Sequence, residues 1–398
     1  MNYNSPSDRL SDRRRIVLLL EYHGALFHGS QFQPDHPTVQ GELLSAIEGL
    51  GIRPYSMMFA GRTDAGVHAK GQVVHFDVEP DALKEVMDLQ TALNSKLPPQ
   101  ISVRALCLDA APAFHSQRHA DYKWYRYKIY LSPARSAWMP PDAIWIKQPL
   151  NIGAMDDAAR LLEGRHSFKS FQCRGTDLPD DVCDIMLARF TLESPASPDF
   201  ENSNAALSFE RNDLTFDASP LACNASNITK STENPDYPGQ ILNFDIVGDR
   251  FLYKMVRNLL GQLLVIGQPD RQRQARHTSS VFQSSSRLLS QPGDILSLLA
   301  ARDRTQAAFA APANGLSLMS VVYPDPIDYF KDDPLRARLA ELLTNHANPA
   351  SQNPVSQDSV QTVSSDASIF PHETSNSNHS NQPQMERMQN ENVFGKAS

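Results

Sequence analysis

Residues 59–76 read FAGRTDAGVHAKGQVVHF, with Gly61, Gly66 and Gly71 bracketing an Arg62-Thr63-Asp64 triplet between two β-rich runs. Glycines at such a place let backbone approach a ligand closely, and a loop between strands presents polar side chains from a rigid support. A carboxylate beside a guanidinium is suited to nucleophilic or general-base work. A phosphate-cradling loop is excluded, because Gly66 is followed by Val67-His68 rather than Lys-Ser/Thr and no helix start follows. On spacing alone the segment reads first as a hairpin turn, with Asp64 as its capping residue, and second as a functional loop.

Tyr122–Leu131 (YKWYRYKIYL) alternates aromatic and basic residues. Lys123, Arg126 and Lys128 among Trp124 and the tyrosines fit phosphate contact with base stacking, or else a solvated sheet face. His115 and His119 are spaced i, i+4, but HSQRH lacks the glutamate of a zinc-protease helix, so core or nucleic-acid contact is the reading for both. His68 and His75 read as structural or phosphate-facing. Cys107, Cys173, Cys183 and Cys223 form no CxxC pair and read as buried, reduced thiols.

The elements that must position these residues follow from periodicity. RIVLLLEYH, SMMFAG, GQVVHFDVE, ISVRALCLD and the aromatic run are strands in the first half. TVQGELLSAIEGL is a helix capped by Thr38, and DALKEVMDLQTALNSKL a helix begun by Asp81. The second half repeats the rhythm with MDDAARLLEG, RFLYKMVRNLLGQLLVIG and GDILSLLAARD as helices and IMLARFTLE, ALSFE, QILNFDIV and GLSLMSVVYP as strands. The pattern is α+β with a mixed sheet.

The formal net charge of −8 over 398 residues argues at first against a nucleic-acid partner. Its distribution removes that inference. Residues 175–240, rich in Pro, Ser, Asn and Asp, carry −9, and residues 346–398 carry −3, leaving +4 on the rest of the chain. In 346–398, 23 of 53 residues are Ser, Asn or Gln, too little apolar surface to offset the entropy of ordering, which predicts a disordered tail. No apolar run reaches the ~18–20 residues of a membrane span, and the N-terminal basic cluster precedes no apolar h-region. The expectation is an unexported cytoplasmic protein.

GRTDAGVHAKGQVVHF resembles the signature loop of the tRNA pseudouridine synthase A family. FHGSQFQ with TVQGELLSAI, then ALNSKLPPQISV, FHSQRHADYKWYRYKIY, RHSFKSF, FLYKMVRNLLGQLLVIG and APANGLSLMSVVYP resemble further family segments in order, spanning roughly Arg15 to Pro324. The resemblance implies a cofactor-free and metal-free isomerase that converts uridine to pseudouridine at positions 38, 39 and 40 of the tRNA anticodon stem-loop. Asp64 matches the catalytic carboxylate, acting at C1′ as nucleophile or at C2′ as base. Tyr125 matches the active-site tyrosine, which would stack on uracil and take the C5 proton, with Tyr127 on the same strand face. Arg257 matches the basic partner of the carboxylate, and Arg62 the residue that helps displace the target nucleotide.

The implied architecture is the pseudouridine synthase fold, two ferredoxin-like α+β halves with mixed sheets joined around a central cleft, acting as a homodimer. The chain would divide into a flexible 1–14, an N-terminal catalytic half at 15–174, a part of the second half with an acidic insertion at 175–240, its remainder at 241–330, a short helical end at 331–345 and the tail at 346–398. The insertion exceeds the family norm and is expected to be a peripheral loop held away from tRNA by repulsion. The pattern is broken at Ser30, where Trp is usual, and at Lys254 and Asn314, where His is common. An RNA-binding protein without turnover and a nucleoside hydrolase are the competing readings. Asp64, Tyr125 and Arg257 together argue against the first, and free uracil would mark the second.

Overall fold

The computed structural model describes residues 13–84, 86–173, 180–193, 239–268 and 290–347. The expectations for residues 1–12, for most of the acidic stretch including the ALSFE strand and Cys223, and for nearly all of the tail lie outside the described residues.

Ten strands among the described residues form one mixed sheet: β1 (Arg14–Tyr22), β2 (Tyr55–Phe59), β3 (His68–Val78), β4 (Ile101–Ala110), β5 (Tyr122–Leu131), β6 (Ala143–Ile146), β7 (Gly164–Ser167), β8 (Val182–Leu192), β9 (Gln240–Gly248) and β10 (Leu316–Val322). Their order is β4-β1-β3-β10-β5-β9-β8-β7, with β2 on β3 and β6 on β5. Only β3–β10 and β5–β6 are parallel. β3 and β10 share just the pairs Ser317–His68 and Leu318–Ala69, so the last strand of the sheet is wedged between the strand after the Gly-rich loop and the aromatic strand. Gly71 lies at that junction. A β-carbon there would stand 2.4 Å from the Met319 carbonyl oxygen, so the two strands can approach only because the position has no side chain.

Six helices among the described residues flank the sheet: α1 (Val39–Glu48), α2 (Leu89–Lys96), α3 (Ile152–Arg160), α4 (Met255–Ile266), α5 (Asp294–Ala301) and α6 (Pro334–Ala347). Strand alternation sends neighbouring residues of β5 into different cores. Tyr125, Tyr127 and Ile129 of β5 join the large cluster that also takes in Leu43 and Ile47 of α1, Leu93 of α2, Met155 of α3, Leu259 of α4 and Leu298 of α5. Trp124, on the other face, packs in a smaller cluster with Val247, Met319 and Leu339 of α6. The described residues are therefore a mixed sheet with helices, in agreement with the α+β expectation.

Thr38 caps α1 as expected, its hydroxyl accepting the Gly41 N–H at 3.1 Å. The helix expected from Asp81 is corrected. Residues Pro80–Leu83 form a single 3-10 turn, and α2 starts only after Asp88, whose carboxylate accepts the Thr91 N–H at 3.1 Å and its hydroxyl at 2.6 Å. An Asp in mid-helix competes with the backbone, and here it takes the cap instead. α4 likewise starts later than its apolar run, because Lys254 sits in the left-handed region at φ 59°. The short strands β6 and β7 carry no periodic pattern long enough to read in advance, and β7 (GRHS) is largely polar.

Candidate active site

The Gly-rich loop between β2 and β3 is held at almost every residue. The side-chain amide of fully buried Gln72 donates to the Gly61 carbonyl at 2.8 Å and accepts the Gly61 N–H at 3.3 Å, as a neighbouring peptide would. The Thr63 hydroxyl meets the Tyr22 hydroxyl at 2.8 Å. Its N–H donates to the Ser30 Oγ at 2.9 Å, and its carbonyl accepts the Ser30 N–H at 3.1 Å. Burial pushes the Tyr22 phenol up to about 12, so it remains a neutral bridge. The Val67 N–H closes a turn onto the Asp64 carbonyl at 3.1 Å, with Gly66 at φ 82°, a conformation that favours glycine. Flanking the loop, His68 accepts the Gly24 N–H on Nδ1 at 3.0 Å and reaches the Asn314 carbonyl through Nε2 at 3.0 Å. That pairing selects the Nε2–H tautomer. Burial, reinforced by His23, lowers the pKa of His68.

Asp64 and Arg257, 193 positions apart in the chain, meet here: Arg257 Nη1 donates to Asp64 Oδ2 at 2.8 Å. Both side chains are less than one-fifth exposed, so the pair is only partly screened by water. The guanidinium is itself fixed. Its Nε donates to the Ala311 carbonyl at 2.8 Å, while the Ala311 N–H donates to the Arg257 carbonyl at 2.9 Å. The other carboxylate oxygen, Asp64 Oδ1, makes no hydrogen bond among the described residues. One oxygen is thus anchored and one is available.

Tyr125 is buried on β5, its ring edge-on to Phe251 at 5.1 Å between centroids. Its hydroxyl lies 3.6 Å from the point where a side chain would begin on Gly61. Burial first, then Tyr22 and Asp64, push its pKa well above that of an ordinary phenol. Its ring and hydroxyl thus stand beside the loop that carries Asp64. Tyr127 shares the face, but its hydroxyl donates to the Pro312 carbonyl at 2.7 Å and its role is structural. Arg62 projects from the loop, exposed and without a hydrogen bond or ion pair among the described residues.

The reading of Lys123, Arg126 and Lys128 as one basic run does not survive strand alternation. Arg126 is buried on the opposite face, where Nε and Nη2 grip Asp245 at 2.8 and 3.0 Å while Trp124 Nε1 donates to the same carboxylate at 2.7 Å. Lys128 pairs with Asp142 at 3.2 Å. Neither phosphate contact nor a solvated face describes Arg126. His115 and His119 turn their Nδ1 atoms to local backbone N–H groups, and no group of three or more His, Cys, Asp or Glu able to hold a metal occurs among the described residues. Of the thiols expected to be buried, Cys183 is, whereas Cys107 and Cys173 are only half-buried.

Sequence reasoning named Asp64, Arg257, Tyr125 and Arg62, and the structure brings the first three together around the loop that carries Arg62. It missed what holds them. Gln72 carries a signal, an amide within an otherwise apolar strand interior; Ser30 reads in the sequence only as a missing aromatic. The Ala311 carbonyl, being backbone, has no residue-type signature.

The sequence profile of a family described as tRNA pseudouridine synthase matches residues 158–324. A protein of Geobacillus kaustophilus named tRNA pseudouridine synthase A is 33% identical over 316 residues, covering 78% of this chain and 95% of that relative. Its namesakes in Nitratidesulfovibrio vulgaris and Chromobacterium violaceum are 34% and 33% identical, over 78% of this chain and 99% and 94% of their own lengths.

Proposed function

The chain belongs to the tRNA pseudouridine synthase A family, a family of isomerases, and from that membership we propose that it converts uridine to pseudouridine at positions 38, 39 and 40 of the tRNA anticodon stem-loop. The observation that carries the site assignment is the 2.8 Å pair between Asp64 and Arg257, which leaves Asp64 Oδ1 open.

The reaction breaks the N1–C1′ bond, turns the uracil and forms a C5–C1′ bond, with loss of a proton from C5 and gain of one at N1. No net water or redox equivalent is consumed, in keeping with an enzyme that needs neither cofactor nor metal. Asp64 acts at the sugar, as nucleophile on C1′ or as base at C2′. Arg257 fixes the rotamer of that carboxylate and supplies positive charge beside it. Tyr125 offers its ring to the extruded uracil and its hydroxyl oxygen to the proton leaving C5, and Arg62 fills the space the base vacates, offsetting the few kcal/mol of unstacking. Two ferredoxin-like halves joined around a central cleft, division of the chain at residues 174 and 240, a homodimer that enlarges the basic surface for tRNA, and a cytoplasmic location complete the reading. No helix among the described residues is long and apolar enough to cross a membrane.

The test is tritium release from a tRNA transcript labelled at C5 of uracil. Wild type should release tritium without free uracil, and Asp64→Ala should lose at least about 10³-fold in rate. Transcripts with adenosine at position 38, 39 or 40 should each lose their share of the release. Binding without release would identify an RNA-binding protein, and free uracil a hydrolase; either outcome overturns the proposal.

A further inference from the structure

Of the three cations on β5, two are neutralised within the fold and one is not. Arg126 is committed to Asp245 and Lys128 to Asp142. Lys123 is 8% exposed, yet its ammonium makes no hydrogen bond or ion pair among the described residues. It lies two residues before Tyr125 on the same strand face. Its Cε and Cδ come to 3.7 and 3.9 Å from the point where a side chain would begin on Gly61, beside the Tyr125 hydroxyl at 3.6 Å. Lys123 therefore stands at the base of the loop that presents Arg62 and Asp64. Asp249 raises its pKa through space without pairing with it, and burial outweighs that and lowers the pKa.

A lysine whose stem is buried while its ammonium reaches solvent without a protein partner is placed to meet an incoming anion. The substrate class proposed above has one kind of anionic group, the backbone phosphate; uracil carbonyls are neutral acceptors. A compact ammonium on a buried stem suits contact with a phosphate oxygen as a point charge. We infer that Lys123 is a substrate-positioning residue that binds one RNA backbone phosphate next to the extruded uridine, and thereby sets the depth at which the sugar meets Asp64. The inference rests on the tRNA-isomerase reading and adds a contact to it.

The experiment measures kcat and KM for tritium release from the labelled transcript with the full-length protein at several salt concentrations. Lys123→Met, Lys123→Gln and Lys123→Arg are compared with wild type, and a thermal melt of each verifies folding. Removal of one charge-assisted contact should raise KM about ten- to hundred-fold. Loss of one phosphate contact should also flatten the slope of log(kcat/KM) against log[salt] by about 0.7 to 0.9. Lys123→Arg should restore the slope. An unchanged slope in the folded Met or Gln variant overturns the inference, including when KM rises, because a purely structural lysine would not alter the count of released counterions. A wild-type protein that makes no pseudouridine would sink the isomerase reading instead, so the two failures are distinguishable.

Discussion

Arg257 makes two contacts that a lysine cannot combine. Its Nε holds the Ala311 carbonyl while Nη1 holds Asp64, so the guanidinium plane transmits the position of the 304–311 segment to the carboxylate. Arg257→Lys keeps the charge and loses the fork. A fall in kcat of about 10²-fold, with KM little changed, is the expected result, because a displacement of order 1 Å at the reacting group costs about that much. Steady-state tritium release measures both constants, and a variant with unaltered kcat would show that charge alone suffices. Residue identity made Asp64, Arg62, Tyr125 and Arg257 legible, because motif and order coincide over most of the chain. The raised pKa of Tyr125 and the double clamp of Ser30 on Thr63 were not legible, since both depend on burial that arises only when distant strands meet.

Among elements, β5 is where the sequence pattern was clearest and its meaning least so. Alternation predicted two faces, but not that one of them would be closed by α6, turning Arg126 from a candidate surface cation into half of a buried ion pair. The late starts of α2 and α4 have the same origin: local chemistry at Asp88 and a left-handed Lys254 override apolar spacing that would extend each helix. Gly71 offers a test at this scale. Gly71→Ala places a methyl group against the Met319 carbonyl and forces β3 and β10 apart, with an expected loss of about 1–3 kcal/mol from overpacking. Chemical denaturation measures the loss. Activity should fall further than stability, because the displaced strand runs directly from the loop that carries Asp64; a variant with wild-type stability would refute the steric account.

At the scale of the whole molecule, stability should depend on acid in a defined window. His75 is buried with its Nδ1 accepting the Ser116 N–H at 3.2 Å, and burial first, then Arg15 and His115, depress its pKa to about 4. Asp77 opposes them and Arg118 adds to them. The unfolded chain takes up a proton near pH 6.5, whereas the folded chain resists until about pH 4, so stability is undiminished above 6.5 and declines as pH falls from there to 4. Urea unfolding at a series of pH values should show this decline, and His75→Gln should reduce its slope by up to one proton; an identical slope would assign the acid sensitivity elsewhere. The partition of charge is also a whole-molecule property. A net −8 conceals a mildly basic +4 on the segments that carry the motifs, so total charge was uninformative about the partner while its distribution was not.

The wedge of β10 between β3 and β5 also has a consequence for biosynthesis. Asp64 and Tyr125 leave the ribosome early, but the strand that sets their separation spans Leu316–Val322, and Arg257 depends on Ala311 just before it. Loops this long make the closing contacts late and non-local. A nascent chain that has already emerged past its signature loop is therefore still without the strand and the Ala311 contact that assemble the candidate site. A chain stalled after β5 has emerged but before Leu316 is made displays the loop that carries Asp64 without the strand that sets its place beside β5.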